Sequence, residues 1–249
     1  ASLYRKPYVV RVGGDYLWEQ MYLPSGAPPV TLLEFYEKGL HRNFNFSLAL
    51  SLTKSILQGA AFVIFNSETQ RTLYETYYGL SSARTTTIFN PVPNIELPPV
   101  VSSGTTAPVA PTKEFVYWGR LIVMKNISTL IKAFAVAHLP EPFSLVIIGN
   151  GPEQVKLLRL IEDLKMDKRI SMVSGMPQKE LFVRVKSARA FILPSWTDIS
   201  PNQVCEALAL GLPGIVTSEN YLSFHDQIPS MVHPGQINDI AAKLEMLAD

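Results

Sequence analysis

The sequence contains a single cysteine, almost no net charge and no long apolar run. Cys205 stands alone, which excludes an internal disulfide framework and a cysteine-rich metal site. The 22 Lys and Arg residues against 21 Asp and Glu residues leave a net charge of +1, so no overall field draws the chain to nucleic acid. The longest apolar runs, such as residues 60–65, fall far short of the roughly 20 residues that span a bilayer. We therefore expect a cytoplasmic protein whose membrane contact, if it has one, is peripheral at the cytosolic face.

Histidine is also scarce, and its positions do not form a pattern. His41, His138, His225 and His233 lack the spacing of metal ligands, so we expect no bound metal. The phosphate-binding signature Gly-x4-Gly-Lys-Ser/Thr is missing as well, which argues against a P-loop phosphotransferase. In contrast, 47% of the residues are hydrophobic, which is enough to bury the core of one large domain or two modest ones.

A tract rich in Pro, Ser and Thr divides the chain. Residues 97–112 show neither a helical nor an alternating period, which is typical of a linker. The composition therefore predicts a first domain at residues 1–97, a linker at 98–112 and a second domain at 113–249.

The second domain alternates strand and helix signals. This alternation predicts a parallel sheet with helices on both faces and a ligand site at the carboxyl ends of its strands. The first domain has a thinner pattern with only three strands, which we interpret as the latter half of a domain whose beginning is absent. The predicted strands are 8–12, 61–65, 85–89, 115–118, 144–148, 170–173, 190–193 and 214–217, and the predicted helices are 44–58, 68–77, 127–138, 153–164, 178–187, 202–210 and 237–247.

Two cations follow the first strand of the second domain. Arg120 lies in the turn after this strand and can donate paired hydrogen bonds to phosphate oxygens, while Lys125 offers a point charge a few residues later. An enzyme that removes a nucleoside diphosphate must stabilise growing negative charge with a metal, with fixed cations or with backbone donors. The alternative interpretation is an ordinary turn arginine and a solvated lysine.

Two carboxylates flank a predicted helix start. Asp198 precedes Ser200-Pro201-Asn202, in which the serine hydroxyl can cap the helix and the proline can occupy its first turn, so that free amides form an anion site. Glu206 follows about one turn into the helix. Carboxylates accept hydrogen bonds from sugar diols, although a loop acid and a surface glutamate would produce the same spacing. Because apolar residues surround Glu206 in the sequence, we expect a polar partner for its carboxylate.

Taken together, these motifs resemble glycosyltransferase family 4, whose members are retaining enzymes of the GT-B fold. The resemblance implies an α/β protein with two Rossmann-like parallel-sheet domains facing a cleft, the N-terminal one incomplete. It covers nearly the whole chain. The matching segments are Trp118-Gly-Arg-Leu-Ile-Val-Met-Lys-Asn126, Val146-Ile-Ile-Gly-Asn-Gly-Pro152, Leu193-Pro-Ser195, Asp198-x-Ser-Pro-Asn202, Glu206-Ala207, Gly211-Leu-Pro213, and, in the first domain, Phe65-Asn-Ser67 and Asn90-Pro-Val92.

The resemblance also implies roles for particular residues. Arg120 and Lys125 match the cations that bind the donor diphosphate, and Glu206 matches the glutamate that binds the donor ribose. Asp198 takes the place of a glutamate that contacts the donor sugar, and it is one methylene shorter. The remaining matches are Gly119, Gly149 and Gly151 near the nucleotide, and Ser200, Asn202 and Gln203 at the phosphate-facing helix start.

Asp15 marks a second departure from the family. It follows Gly13 and Gly14 after the first strand, where relatives often carry a histidine near the donor sugar. Asp15 can take the place of that histidine in the cleft, or Gly-Gly-Asp can be a tight turn closed by a local aspartate hydrogen bond. Both interpretations remain open.

The function implied by the resemblance is metal-independent transfer of a sugar, with retention, to an acceptor hydroxyl. The donor would be a UDP- or GDP-linked sugar with no further cofactor, and the acceptor a glycan, a lipid-linked molecule or a small molecule; the reaction belongs to the hexosyltransferase class EC 2.4. The alternative is a non-catalytic nucleotide-sugar-binding or scaffold protein derived from the same fold. A dinucleotide oxidoreductase is disfavoured, because Gly149-x-Gly151 lacks the third glycine of that fingerprint and is followed by Pro152.

Overall fold

The structure is a computed structural model that describes residues 6–91, 95, 111–224, 227–228 and 230–249. The predicted linker lies outside the described residues except for its last two positions. The chain divides into two compact units: unit 1 comprises residues 1–91, 196–200 and 219–227, and unit 2 comprises residues 92–195, 201–218 and 228–249. Two short segments from the second half of the sequence thus belong to unit 1. The division follows from which residues are in contact, and residues far apart in the sequence can be in contact.

Unit 1 contains a sheet of three parallel strands, β1 to β3, in their order along the chain. Helix α1 was not predicted; it begins at a capping box in which Thr31 and Glu34 exchange side-chain and backbone hydrogen bonds. The strands are β1 (Val9–Val12), β2 (Phe62–Phe65) and β3 (Thr85–Thr87), the α-helices are α1 (Leu32–Glu37), α2 (Ser47–Gly59) and α3 (Glu68–Tyr78), and the remaining helical turns are Leu17–Tyr22, Leu23–Ser25, Leu40–Arg42, Phe44–Phe46 and Ser82–Arg84.

Unit 2 contains a sheet of six parallel strands in the order β6-β5-β4-β7-β8-β9. The two-residue strand β9 was not predicted, whereas β5 to β8 have the predicted bounds. The strands are β4 (Glu114–Trp118), β5 (Ser144–Ile148), β6 (Ile170–Val173), β7 (Ala190–Leu193), β8 (Gly214–Thr217) and β9 (Met231–Val232); the helices are α4 (Ile127–Val136), α5 (Gln154–Asp163), α6 (Gln178–Val185), α7 (Asn202–Ala209) and α8 (Ile237–Ala248), with a 3-10 turn at Val123–Lys125.

The strand order of unit 2 places a reversal at β4. Successive strands run outward from β4 through β5 to β6, and the chain then returns to the other side of β4 as β7. All four residues of β7 are buried, as expected where helices cover both faces of a parallel sheet. In open sheets of this kind, ligands bind outside the carboxyl ends of the strands at such a reversal. We therefore expect a ligand site at the loops that follow β4 and β5.

Within the described residues, the structure contains no helix that is long and apolar enough to cross a membrane.

Candidate functional site

A cavity of about 530 Å³ opens at the carboxyl ends of β4, β5 and β6 in unit 2. The loops after these strands form one side of the cavity, and the first turns of α7 form another. Its position agrees with the strand reversal at β4. Six of the residues singled out in the sequence line this cavity: Gly119, Arg120, Gly149, Asn202, Gln203 and Glu206.

Glycines allow the loops after β4 and β5 to approach each other closely. A Cβ atom on Gly149 would lie 1.9 Å from the carbonyl oxygen of Gly119, so only glycine fits at position 149. The amide of Gly119 donates to the carbonyl of Ile148 at 3.0 Å, which extends the sheet pairing past the strand ends. Gly151 permits a second close approach, since a Cβ there would lie 2.3 Å from the carbonyl oxygen of Leu121. Backbone atoms therefore form this side of the cavity wall.

Glu206 has two hydrogen-bond partners inside the cavity. The indole Nε1–H of Trp118 donates to Oε2 at 2.8 Å, and the amide Nε2–H of Gln178 donates to Oε1 at 2.9 Å. The expectation that Glu206 has a polar partner is thus confirmed. An ionised carboxylate offers about four acceptor positions, so each oxygen keeps capacity for a hydroxyl donor.

Trp118 and Gln178 were missed as functional residues from the sequence. Trp118 is the first residue of the motif that runs to Asn126, but an aromatic residue at the end of a buried strand is usually a core residue. Gln178 opens α6, which the sequence analysis treated only as a connecting helix. The local pattern carries no signal that either side chain meets Glu206.

The start of α7 differs from the prediction at Ser200. Pro201 occupies the N-cap position, and no side chain caps the first turn. The prediction that the Ser200 hydroxyl caps this helix was wrong, because Ser200 adopts a left-handed conformation at φ 55° one position before the cap. Asn202 and Gln203 lie in the first turn and line the cavity. The positive end of the helix dipole thus reaches the cavity without a side-chain cap.

The two predicted cations lie in different environments. Arg120 is exposed and lines the cavity, and its carbonyl oxygen accepts a 3.0 Å hydrogen bond from the Tyr117 hydroxyl that holds the turn. Lys125 closes the 3-10 turn of the same unit and is only 3% exposed. Lys125 is not among the residues that line the cavity. Of the two cations, the structure brings Arg120 to the cavity.

Asp198 and Ser200 belong to unit 1. Asp198 is 7% exposed, and its backbone N–H donates to the carbonyl of Glu219 at 2.8 Å. The backbone N–H of Ser200 donates to the carbonyl of Asn220 at 3.1 Å. These two bonds tie the segment that contains both residues to the other short segment of unit 1 from the second half of the sequence.

Asp15 lies in a buried cluster of tyrosines in unit 1. Its Oδ1 accepts a hydrogen bond from the backbone of Trp18 at 2.9 Å. Its Oδ2 accepts from the hydroxyls of Tyr36 at 2.6 Å and Tyr74 at 2.8 Å. Burial raises the pKa of Asp15, against the opposing effect of these hydrogen bonds. Of the two interpretations left open by the sequence, this environment favours the local structural one.

One family model matches more than half of the chain. The sequence model of the family described as Glycosyl transferases group 1 matches residues 106–245. The D-inositol 3-phosphate glycosyltransferase of Pseudarthrobacter chlorophenolicus is 26% identical over 215 residues, which cover 78% of this chain and 49% of that protein. The chain therefore spans about half the length of this relative.

Solved glycosyltransferase structures share the fold. Anabaena HepE in complex with UDP-glucose matches with a TM-score of 0.65 at 18% identity, covering 97% of this chain and 62% of that chain. The lipopolysaccharide outer core galactosyltransferase WaaB, in its apo form, matches with a TM-score of 0.58 at 22% identity, covering 76% and 53%. The predicted GT-B-like α/β fold is confirmed by these likenesses.

Proposed function

Because this chain belongs to the glycosyl transferases group 1 family, we propose that it moves a sugar from a nucleoside diphosphate sugar to a hydroxyl group of an acceptor. The observation that carries the proposal is the cavity of unit 2, in which Arg120, the uncapped start of α7 and Glu206 line one space. These are the groups that a nucleoside diphosphate requires: donors for its phosphates and an acceptor for its ribose hydroxyls. The UDP-glucose complex of HepE supports UDP as the nucleotide.

The cations and the helix start would stabilise the leaving diphosphate. When the bond between the sugar and the diphosphate breaks, negative charge grows on the phosphate oxygens, and preorganised donors lower the barrier most effectively there. Arg120 and the amides of the first turn of α7, next to Asn202 and Gln203, supply such donors. We include Lys125 as a second cation on the strength of the matching motif. Gly119, Gly149 and Gly151 would let the backbone approach the nucleotide.

Glu206 would bind the ribose, and Asp198 the transferred sugar. The two partners of Glu206 hold its carboxylate in one orientation, ready to accept from a pair of vicinal hydroxyls. Asp198 and Ser200 keep the roles implied by their motif. We propose no catalytic role for Asp15, because three hydrogen bonds within unit 1 already occupy its carboxylate.

Retention, a hexose as the transferred sugar and independence of a metal ion belong to the same proposal. In a retaining transfer the acceptor oxygen bonds to the sugar on the face from which the diphosphate leaves. Fixed cations and helix amides at the leaving group can supply the charge stabilisation that other transferases obtain from a divalent ion. The acceptor would be a glycan, a lipid-linked molecule or a small molecule.

A second candidate is a protein that binds the nucleotide sugar without turning it over. Two observations favour it: Asp198 is shorter than the glutamate of the family motif, and Asp15, at the position of the family's histidine, has its carboxylate occupied by neighbours in unit 1. Binding of the nucleotide sugar without release of the nucleoside diphosphate, in the presence of a panel of acceptors, would select this candidate.

Calorimetric titration with UDP and with uridine tests the proposal. We expect UDP to bind at least about tenfold more tightly than uridine, because the phosphates add charge-assisted hydrogen bonds. Arg120→Ala should remove most of this difference, whereas Arg159→Ala, which changes an exposed arginine on α5 outside the cavity, should not. Equal affinities for UDP and uridine, together with equally weak binding of GDP, would contradict the proposal.

A further inference from the structure

Arg11 stands at the centre of a polar cluster at the carboxyl end of the unit 1 sheet. It belongs to β1, and its guanidinium reaches the residues that follow β2 and β3. Nε and Nη2 donate to Asn66 Oδ1 at 3.2 and 3.1 Å, and Nη2 also donates to Asn90 Oδ1 at 3.1 Å. Asn90 Nδ2 in turn donates to the carbonyl of Ser200 at 3.1 Å, also within unit 1. The two amides thus hold the guanidinium in place.

The orientation of both amides follows from the chemistry of arginine. A guanidinium has five N–H donors and no acceptor, so both amides must turn their oxygens toward it. The bonds to Asn66 and Asn90 use the N–H of Nε and both N–H groups of Nη2. Both N–H groups of Nη1 remain without a partner among the described residues.

The surroundings of Arg11 leave its charge uncompensated. Arg11 is exposed, and it forms no ion pair with a carboxylate in the segments that the structure describes. Gly13 adds no side chain beside the cluster; a Cβ there would meet only Asn66 Nδ2, at 3.8 Å. Helix α3 begins directly after β2, at Glu68, so its positive end lies at the same edge of the sheet.

We propose that Arg11 binds an anionic group, a phosphate or a carboxylate, carried by the acceptor. The inference rests on the proposed function, since it names the chemical class of the molecule that receives the sugar. A positive side chain that two amides hold rigidly loses little freedom when it binds, and the free N–H groups of Nη1 can donate charge-assisted hydrogen bonds to an anion. The site lies outside the strand ends of a parallel α/β sheet, where such folds bind their ligands.

A purely structural role for Arg11 makes a different prediction. If Arg11 only linked β1 to the segments after β2 and β3, it would need the bonds to Asn66 and Asn90, but the protein would not distinguish anionic from neutral sugars. Arg84 offers the matched control, because its Nη1 donates to the carbonyls of Gln58 and Ala60 and so ties together the amino ends of β2 and β3.

The experiment is a titration of the chain, followed by NMR, with glucose, glucose 6-phosphate and glucuronate. We expect the wild type to bind at least one of the two anionic sugars about tenfold or more tightly than glucose. Arg11→Gln should abolish the preference, Arg11→Lys should retain some of it, and Arg84→Gln should leave it unchanged. The affinity for UDP, measured in parallel, should be the same in all four proteins.

The two proposals fail in distinguishable ways. Failure of the wild type to bind both UDP and GDP would contradict the proposed function, whereas equal affinities for the three sugars would contradict the anionic acceptor alone. A preference for anionic sugars that survives in Arg11→Gln would assign the anion to another residue and overturn this inference. If Arg11→Gln does not fold, a full preference in Arg11→Lys together with a loss in Arg84→Gln would overturn it as well.

Discussion

The indole N–H of Trp118 donates a 2.8 Å hydrogen bond to Glu206, across 88 residues of sequence. This bond joins the last residue of β4 to the second turn of α7 and fixes one oxygen of the carboxylate. Because the indole nitrogen is a donor only, its partner must be an acceptor, and the carboxylate oxygen Oε2 takes this role. We infer that Trp118 positions Glu206 for the ribose hydroxyls of a nucleotide.

Removal of this indole donor should weaken nucleotide binding. Trp118→Phe keeps an aromatic ring but loses the N–H, so the carboxylate of Glu206 keeps the bond from Gln178 and loses the one from the indole. The affinity for UDP should fall about three- to tenfold, the effect of one hydrogen bond. Trp18→Phe is the matched control, since the indole of Trp18 donates to the carbonyl of Val30 at 3.0 Å in unit 1. The control should lower the melting temperature without changing UDP affinity by calorimetry; the same loss of affinity in both variants would refute the positioning role.

Truncation of Glu206 should weaken uridine and UDP alike. Glu206→Ala should cost roughly 1.5–3 kcal/mol of binding free energy through the lost ribose contact. Glu206→Gln should cost less, because its amide oxygen can still accept from Trp118. Calorimetry with 2′-deoxyuridine diphosphate provides the check. This nucleotide lacks the ribose 2′-hydroxyl, so its affinities for the wild type and the variants should differ less than those of UDP. Glu180→Ala, on an exposed position of α6, should change nothing.

A side chain at Gly149 should separate the loops after β4 and β5. The added Cβ of Gly149→Ala would lie 1.9 Å from a backbone oxygen that cannot move aside alone, so we expect a loss of roughly 1–3 kcal/mol in the free energy of unfolding together with weaker UDP binding. Gly175→Ala is the milder comparison, because its Cβ would meet the side-chain amide of Asn150 at 3.1 Å, which can rotate. Equal stabilities of the two variants in urea would show that the close approach is not required.

Asp15→Asn should change how stability depends on pH. The pKa of Asp15 is raised above 3.8 by burial, so the folded state holds a proton that the unfolded state releases. The contribution of this group to stability is therefore full below about pH 3.8 and is lost as the pH rises through the folded pKa. Relative to the wild type, the free energy of unfolding of Asp15→Asn should rise between about pH 3.8 and the folded pKa of Asp15, and it should stay level at higher pH. Parallel pH profiles of the two proteins would exclude this effect.

Local patterns in the sequence determined most of the secondary structure and the family. Strands β5 to β8 have the predicted bounds, because runs of four or five residues that are mostly apolar, bounded by turn residues, are too short for a helix and typical of strands. The ordered motifs predicted a glycosyltransferase, and membership of the glycosyl transferases group 1 family confirms this, whereas the narrower assignment to family 4 stays a prediction. The missed elements α1 and β9 have 6 and 2 residues, too few for a period to emerge.

Only the tertiary structure decided which side chains meet. The apolar neighbours of Glu206 predicted that it has a partner, but nothing in the sequence indicated Trp118 or Gln178. Likewise, the sequence around Asp15 allowed two interpretations, and the hydrogen bonds from the hydroxyls of Tyr36 and Tyr74 to its carboxylate favour one of them. The physical reason is one of range. Periodicity and capping report forces between residues a few positions apart, whereas a contact between distant loops depends on the order in which the strands pair.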